Sequence, residues 1–131
     1  MKFAKYTFLV GGIYGLIALL LFYFLEDKVG ADNPPAITHP EFFYGFIGLA
    51  SVFQVVFLVI STDPLRYRPL MAVSVLEKLS FGIAAVVLFS QGRLEGPFFV
   101  GGMVDLLLAV LFVISFVVTG RHAREVRAVR N

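Results

Sequence analysis

Four long runs of apolar residues divide the chain, and each is long enough to cross a lipid bilayer as a helix. A hydrocarbon core of about 30 Å needs about 20 apolar residues in helical form, because lipid offers no partner for unpaired backbone groups. The pattern predicts an all-α, integral membrane four-helix bundle that forms a single domain over 1–131, with a basic tail at 120–131. The four helices are expected at about 5–25, 40–60, 69–90 and 97–119.

Residues between the runs predict where helices begin and end. Thr38 and Glu41 have the spacing of a capping box before the second helix. Asp63 is placed to cap a short turn between the second and third helices, and Gly120 is expected to stop the fourth. Proline suits a first helical turn because its missing amide would be unpaired there, and prolines open three of the runs: Pro40, Pro69 and Pro97.

The basic residues of the loops and termini gather on one side of the predicted bundle. Loops rich in lysine and arginine stay in the cytoplasm, so both termini are expected there. The same residues are expected to attract the anionic headgroups of the lipid bilayer. The other side has only Lys28 and Arg93, whereas the basic side has eight: Lys2, Lys5, Arg66, Arg68, Arg121, Arg124, Arg127 and Arg130.

Composition excludes several classes of protein. Of 131 residues, 59% are hydrophobic and 15% charged, against about 45–50% and 25% in soluble domains. A net charge of +2 gives no extended surface for nucleic acid, and the absence of cysteine excludes thiolate chemistry and iron–sulfur ligation. No phosphate-binding glycine loop, nucleophile elbow or zinc-helix motif is present, so neither a cofactor nor hydrolytic chemistry is expected.

Three charged residues lie at membrane depth and need a physical reason. A charge near the bilayer centre costs at least about 2.5–3.5 kcal/mol, and Glu77, Lys78 and Asp105 fall there. With a rise of about 1.5 Å per residue, Gln54 and Tyr14 reach the same depth as Glu77. Lys78 and Asp105 each share a helix face with small residues, which mark close helix contacts. We therefore expect both to point inward and to pair.

Two interpretations of these polar residues stay open. In the first, Lys78 and Asp105 neutralise each other while Glu77 bonds to Gln54 or Tyr14, and the cluster only fixes the helix register. In the second, they line a pocket near the midplane for a small or lipophilic ligand, with Glu77 held protonated because burial penalises its charge. Polar contacts between membrane helices average only about 0.6 kcal/mol, which seldom repays the cost of inserting charges.

A second polar cluster is predicted at the outer face, and it comprises His39, Glu41 and Tyr44 near Glu26. Histidine beside carboxylates can ligate a metal, but His39 stands next to a proline, where loop and cap roles are commoner. The other histidine, His122, lies on the opposite side, so no site with two histidines can form within one chain. No metal is expected.

Three short stretches resemble a group of small, uncharacterised bacterial four-span proteins with a DoxX-like layout. They are 38–45 (THPEFFYG), 63–69 (DPLRYRP) and 76–79 (LEKL). The resemblance implies a multi-pass protein of the bacterial inner (plasma) membrane, and it implies no substrate, cofactor or catalytic residue. Small multidrug transporters also have four spans around a membrane carboxylate, but theirs lies in the first helix, where this chain has none between Lys5 and Leu25.

Three classes of function follow. The first is a non-enzymatic protein that binds a small or lipophilic ligand or serves as an accessory subunit of a membrane complex. The second is a small proton-coupled transporter acting as a homodimer. The third is a lipid-modifying enzyme, in which Asp105 or Glu77 would lie beside Tyr44 or His39.

Overall fold

A computed structural model describes residues 1–130, without the side chain of Arg130, and its regular structure is entirely helical. Four helices are long and apolar enough to cross a membrane, which confirms the predicted all-α class and the four apolar helices. One further helix, of seven residues, lies between the first two long helices and was not predicted. The helices are α1 (Lys2–Phe22), α2 (Glu26–Asp32), α3 (Pro40–Thr62), α4 (Arg68–Ser90) and α5 (Gly96–Arg130).

The four long helices form two closely packed pairs, α1 with α3 and α4 with α5. Glycines allow the close approach within each pair. A Cβ atom on Gly12 would lie 2.9 Å from the carbonyl oxygen of Gln54, and one on Gly82 would lie 2.5 Å from Leu106 Cδ2. Small residues at these positions let the helix backbones come together, as the face shared by Lys78 and Gly82 predicts.

An aromatic core joins the two pairs at the end of the molecule that holds the N-terminus of α1 and the turn between α3 and α4. The rings of Phe8 and Phe112 stack with their centroids 4.1 Å apart, and Phe57 meets Phe112 edge-on at 4.9 Å. Such ring pairs add to the stabilisation from buried apolar area. We call this group the phenylalanine core; its buried members are Ala4, Phe8, Phe57, Ile60, Met71 and Phe112.

The prediction that Gly120 ends the last helix is wrong, because α5 continues to Arg130. The predicted tail at 120–131 is therefore helical through 130, and Asn131 lies outside the described residues. Gly120 instead leaves room for Arg68, since a Cβ atom there would lie 2.6 Å from Nη2 of that arginine. The guanidinium of Arg68 lies 3.7 Å from the centroid of the Phe116 ring.

Gly92 is the glycine that ends a helix, α4. Gly92 adopts a φ of +66°, which is strained for a residue with a side chain. The amide of Gly92 bonds to the Phe89 carbonyl at 2.9 Å, and the amide of Arg93 bonds to the Leu88 carbonyl at 2.9 Å. This is the Schellman arrangement, which pairs the last carbonyls of α4.

Of the two caps predicted beside α3, the one before the helix is wrong and the one after it is confirmed. The capping box is wrong, because His39 is the N-cap residue and α3 has no capping hydrogen bond from a side chain. Glu41 contacts His39 instead, with 3.2 Å between Oε1 and Nδ1. The cap by Asp63 is confirmed, since its Oδ1 accepts the amide of Arg66 at 3.1 Å.

Replacing Gly102 by alanine tests the close packing of α4 against α5. The added methyl group would overlap the Cβ atom of Ala85, so we expect a loss of about 1–3 kcal/mol in unfolding free energy. Gly101→Ala is the matched control, because the nearest atom to its Cβ is 4.0 Å away. Circular dichroism during titration with sodium dodecyl sulfate measures both variants, and equal stability of the two would contradict this packing.

Candidate functional site

A cavity of about 250 Å³ separates the two helix pairs in the half of the molecule away from the phenylalanine core. Its lining comes from all four long helices, α1, α3, α4 and α5, and includes Pro97 in the first turn of α5. The structure brings all five polar residues predicted for the midplane to this cavity: Tyr14, Gln54, Glu77, Lys78 and Asp105.

Lys78 is the centre of charge in the cavity. Its Nζ lies 3.0 Å from Asp105 Oδ1, which confirms the predicted pair, and 3.4 Å from Glu77 Oε2. The Lys78 side chain is only 5% exposed, and the ammonium lies 5.3 Å from the centroid of the Phe57 ring in the core below. One ammonium therefore serves two carboxylates, which leaves one negative charge in excess when all three groups are ionised.

Two acceptor atoms at the cavity lack hydrogen bonds among the described residues. The buried Gln54 amide donates from Nε2 to the Ala50 carbonyl at 2.9 Å, but its Oε1 has no partner. Glu77 Oε2 lies 3.4 Å from Lys78 Nζ without the alignment of a hydrogen bond, and no other donor reaches it. The Gln54 amide donates to its own helix, and no hydrogen bond from Gln54 or Tyr14 to Glu77 is found among the described residues. A buried acceptor without a donor costs about 1–3 kcal/mol.

A glycine provides the space that the Gln54 side chain occupies. A Cβ atom on Gly15 would overlap the Gln54 amide. Most other buried hydroxyls are bonded within their own helix, as Ser115 Oγ is to the Leu111 carbonyl at 2.8 Å. One other buried atom without a partner, Ser51 Oγ, belongs to a residue outside the cavity lining.

Aromatic side chains that the sequence interpretation did not identify wall the cavity where the two helix pairs meet. The ring of Phe22 lies 5.9 Å from that of Phe98 across α1 and α5, and Phe46 lies 5.7 Å from Phe81 across α3 and α4. The sequence does contain a pattern that identifies these aromatic residues. On three helices a polar residue and an aromatic residue stand two turns apart, in either order, with a small residue one turn from each. It occurs in Tyr14-Ala18-Phe22, Phe46-Ala50-Gln54 and Phe98-Gly101-Asp105.

The outer-face cluster divides into two pairs that do not line the cavity. Tyr44 donates from its hydroxyl to Glu26 Oε2 at 2.6 Å, which ties α2 to α3. His39 and Glu41 form an exposed pair, with side chains 67% and 64% exposed. Within residues 1–130, no three histidine, aspartate or glutamate side chains are grouped closely enough to hold a metal ion.

A search of family models, of curated proteins and of solved structures finds nothing similar to this chain. The DoxX-like layout therefore stays a prediction.

Removing the ammonium of Lys78 tests its role between the carboxylates. Lys78→Gln leaves Glu77 and Asp105 facing each other without a cation, so we expect a loss of about 3–5 kcal/mol in unfolding free energy. Lys28→Gln is the matched control, because Lys28 makes an exposed 2.7 Å pair with Asp32 and pairs of that kind contribute about 0.2–1 kcal/mol. Detergent unfolding followed by circular dichroism compares them, and a similar small loss in both variants would refute the central role of Lys78.

Proposed function

We propose that this chain is a non-enzymatic, multi-pass protein of the bacterial inner (plasma) membrane that binds a small lipophilic ligand in the cavity between its helix pairs. The observation that carries the proposal is the buried Gln54 Oε1, which has no donor among the described residues, beside a Glu77 carboxylate that shares one ammonium with Asp105, at an otherwise largely aromatic and aliphatic cavity. Buried polar atoms are nearly always paired in native structures. A ligand with hydrogen-bond donors would pair Gln54 Oε1 and Glu77.

The outward surface of the long helices supports membrane insertion. Only 22–28% of the residues in each apolar window are buried, so most of the apolar side chains face outward. Leu49, for example, is 70% exposed and Leu76 is 66% exposed. Exposed apolar surface of this extent is stable against lipid and unfavourable in water.

The charges at the two ends support an orientation with both termini in the cytoplasm. The end with the N-terminus of α1 and the turn between α3 and α4 also holds the second half of α5, where Gly120 lies against Arg68. Basic residues therefore gather at this end, while α2, with Glu26, Asp27 and Asp32, lies at the other. Such asymmetry favours the basic end as the cytoplasmic one.

The cavity indicates the chemistry of the ligand. A volume of about 250 Å³ exceeds the roughly 150 Å³ of an apolar cavity that holds benzene, so a ring with a short chain would fit. Aromatic walls favour an aromatic or aliphatic body. The excess carboxylate and the two open acceptors favour a ligand that presents a hydroxyl or amino group to Glu77 and Gln54.

Filling the cavity tests the proposal. Gly101→Leu adds a side chain at a position that lines the cavity, and Gly45→Leu adds the same side chain where no atom lies within 4 Å of the Cβ. We expect 4-propylphenol to bind the wild type and Gly45→Leu saturably. We expect no saturable binding to Gly101→Leu. Propylbenzene has no donor and should bind the wild type about tenfold more weakly.

Isothermal titration calorimetry in detergent micelles measures these affinities, with partition of the probe into micelles subtracted by comparing the two leucine variants. Equal binding of 4-propylphenol to both leucine variants would place the probe outside the cavity and overturn the proposal. Equal affinity of the wild type for 4-propylphenol and propylbenzene would show that the open acceptors do not contribute to binding.

A small proton-coupled transporter is the second candidate function, and the excess of one carboxylate over the ammonium favours it. Glu77 can exchange a proton for a cationic ligand if the cavity opens to water. We then expect a pH gradient to drive proflavine, an aromatic cation with amino donors, into proteoliposomes. Glu77→Gln should abolish this uptake, and Glu41→Gln, at an exposed carboxylate, should retain it. Uptake that persists in Glu77→Gln would exclude this candidate.

A further inference from the structure

A second cavity, of about 360 Å³, lies at the basic end of the molecule, where α4 begins beside the last turns of α5. It is distinct from the cavity between the helix pairs, and the two share no lining residue. Three of its five lining residues are arginines from two helices: Arg68, Arg124 and Arg127, with Gly120 and Ala123 between them.

Contacts with the protein hold two of these arginines in place. Arg68 donates from Nε to the Phe116 carbonyl at 3.2 Å, and its guanidinium stacks on the Phe116 ring. Arg124 donates from Nε to the Gly120 carbonyl at 3.3 Å. These bonds use one nitrogen of each guanidinium, and neither arginine donates a hydrogen bond from its terminal nitrogens to any of the described residues.

No carboxylate of the described residues balances these arginines. The ion pairs found in residues 1–130 include none with Arg68, Arg124 or Arg127, and the neighbouring Glu125 lies 4.0 Å from His122. Arg124 and Arg127 are exposed, so water screens part of the repulsion among the three charges, and an anion between them would offset the rest. The planar guanidinium presents paired N–H groups whose geometry matches the oxygens of a phosphate.

We propose that this cavity binds a phosphate group. Anionic phospholipid is the favoured source, because the cavity lies where the apolar part of α5 gives way to its basic turns, and Val117 just below it is 42% exposed. Basic sites between membrane helices on the cytoplasmic side bind anionic headgroups in this way. The proposal rests on the membrane placement proposed above, and it is independent of any ligand between the helix pairs.

Thermal unfolding in neutral detergent micelles tests the site. A ligand that binds only the folded protein raises its melting temperature, and the rise grows with the logarithm of the ligand concentration once this exceeds the dissociation constant. We expect dioleoylphosphatidylglycerol to raise the melting temperature of the wild type, and dioleoylphosphatidylcholine, whose phosphate is neutralised by choline, to have little effect. Arg127→Gln should weaken the apparent affinity for phosphatidylglycerol about tenfold.

Arg121→Gln is the matched control, since it removes the same charge from the same helix at a residue that does not line the cavity. This variant should retain the affinity of the wild type. Inorganic phosphate alone distinguishes the source: a shift of the same size that Arg127→Gln abolishes would assign the site to a soluble phosphate. Equal weakening in both arginine variants would show diffuse attraction to charge, and would overturn the proposal, as would the absence of any shift with either anion.

Discussion

One ammonium shared by two carboxylates is the interaction on which the arrangement of this molecule depends. Lys78 and Asp105 belong to different helices, so their 3.0 Å contact fixes how α4 lies against α5. Charged side chains among apolar helices are costly unless they are paired, so this contact favours the rotation of both helices that turns Lys78 and Asp105 inward. Because Glu77 is adjacent to Lys78, the same rotation brings a second carboxylate to the space between the helix pairs.

The two halves of the molecule use their aromatic residues in different ways. In the phenylalanine core the rings pack on one another and fill the space between the pairs. In the other half Phe22, Phe98, Phe46 and Phe81 close the seams around a cavity. A cavity lined by an acceptor without a protein donor departs from good packing, and natural proteins depart from it in this manner mainly at functional sites.

Much of this arrangement could be predicted from sequence, because hydropathy and helical rise are properties of single segments. They place the four apolar helices, and they bring Lys78 to the depth of Gln54 and within reach of Asp105. What depends on a neighbouring helix could not be predicted. Glycine is common just after the end of a helix, which is why Gly120 is predicted to end α5. Only the position of Arg68 shows that Gly120 instead provides space for the arginine side chain. The open Gln54 oxygen likewise depends on which carbonyl its amide nitrogen reaches.

The phenylalanine core also decides how molecules can travel through the bundle. It blocks the way from the chamber between the helix pairs toward the basic end, with Lys78 directly above Phe57. The chamber is therefore closed toward that end, and a ligand bound there would have to leave on the side by which it entered. Passage across the whole membrane would require Phe8, Phe57 and Phe112 to separate, so this packing favours a receptor over a continuous channel.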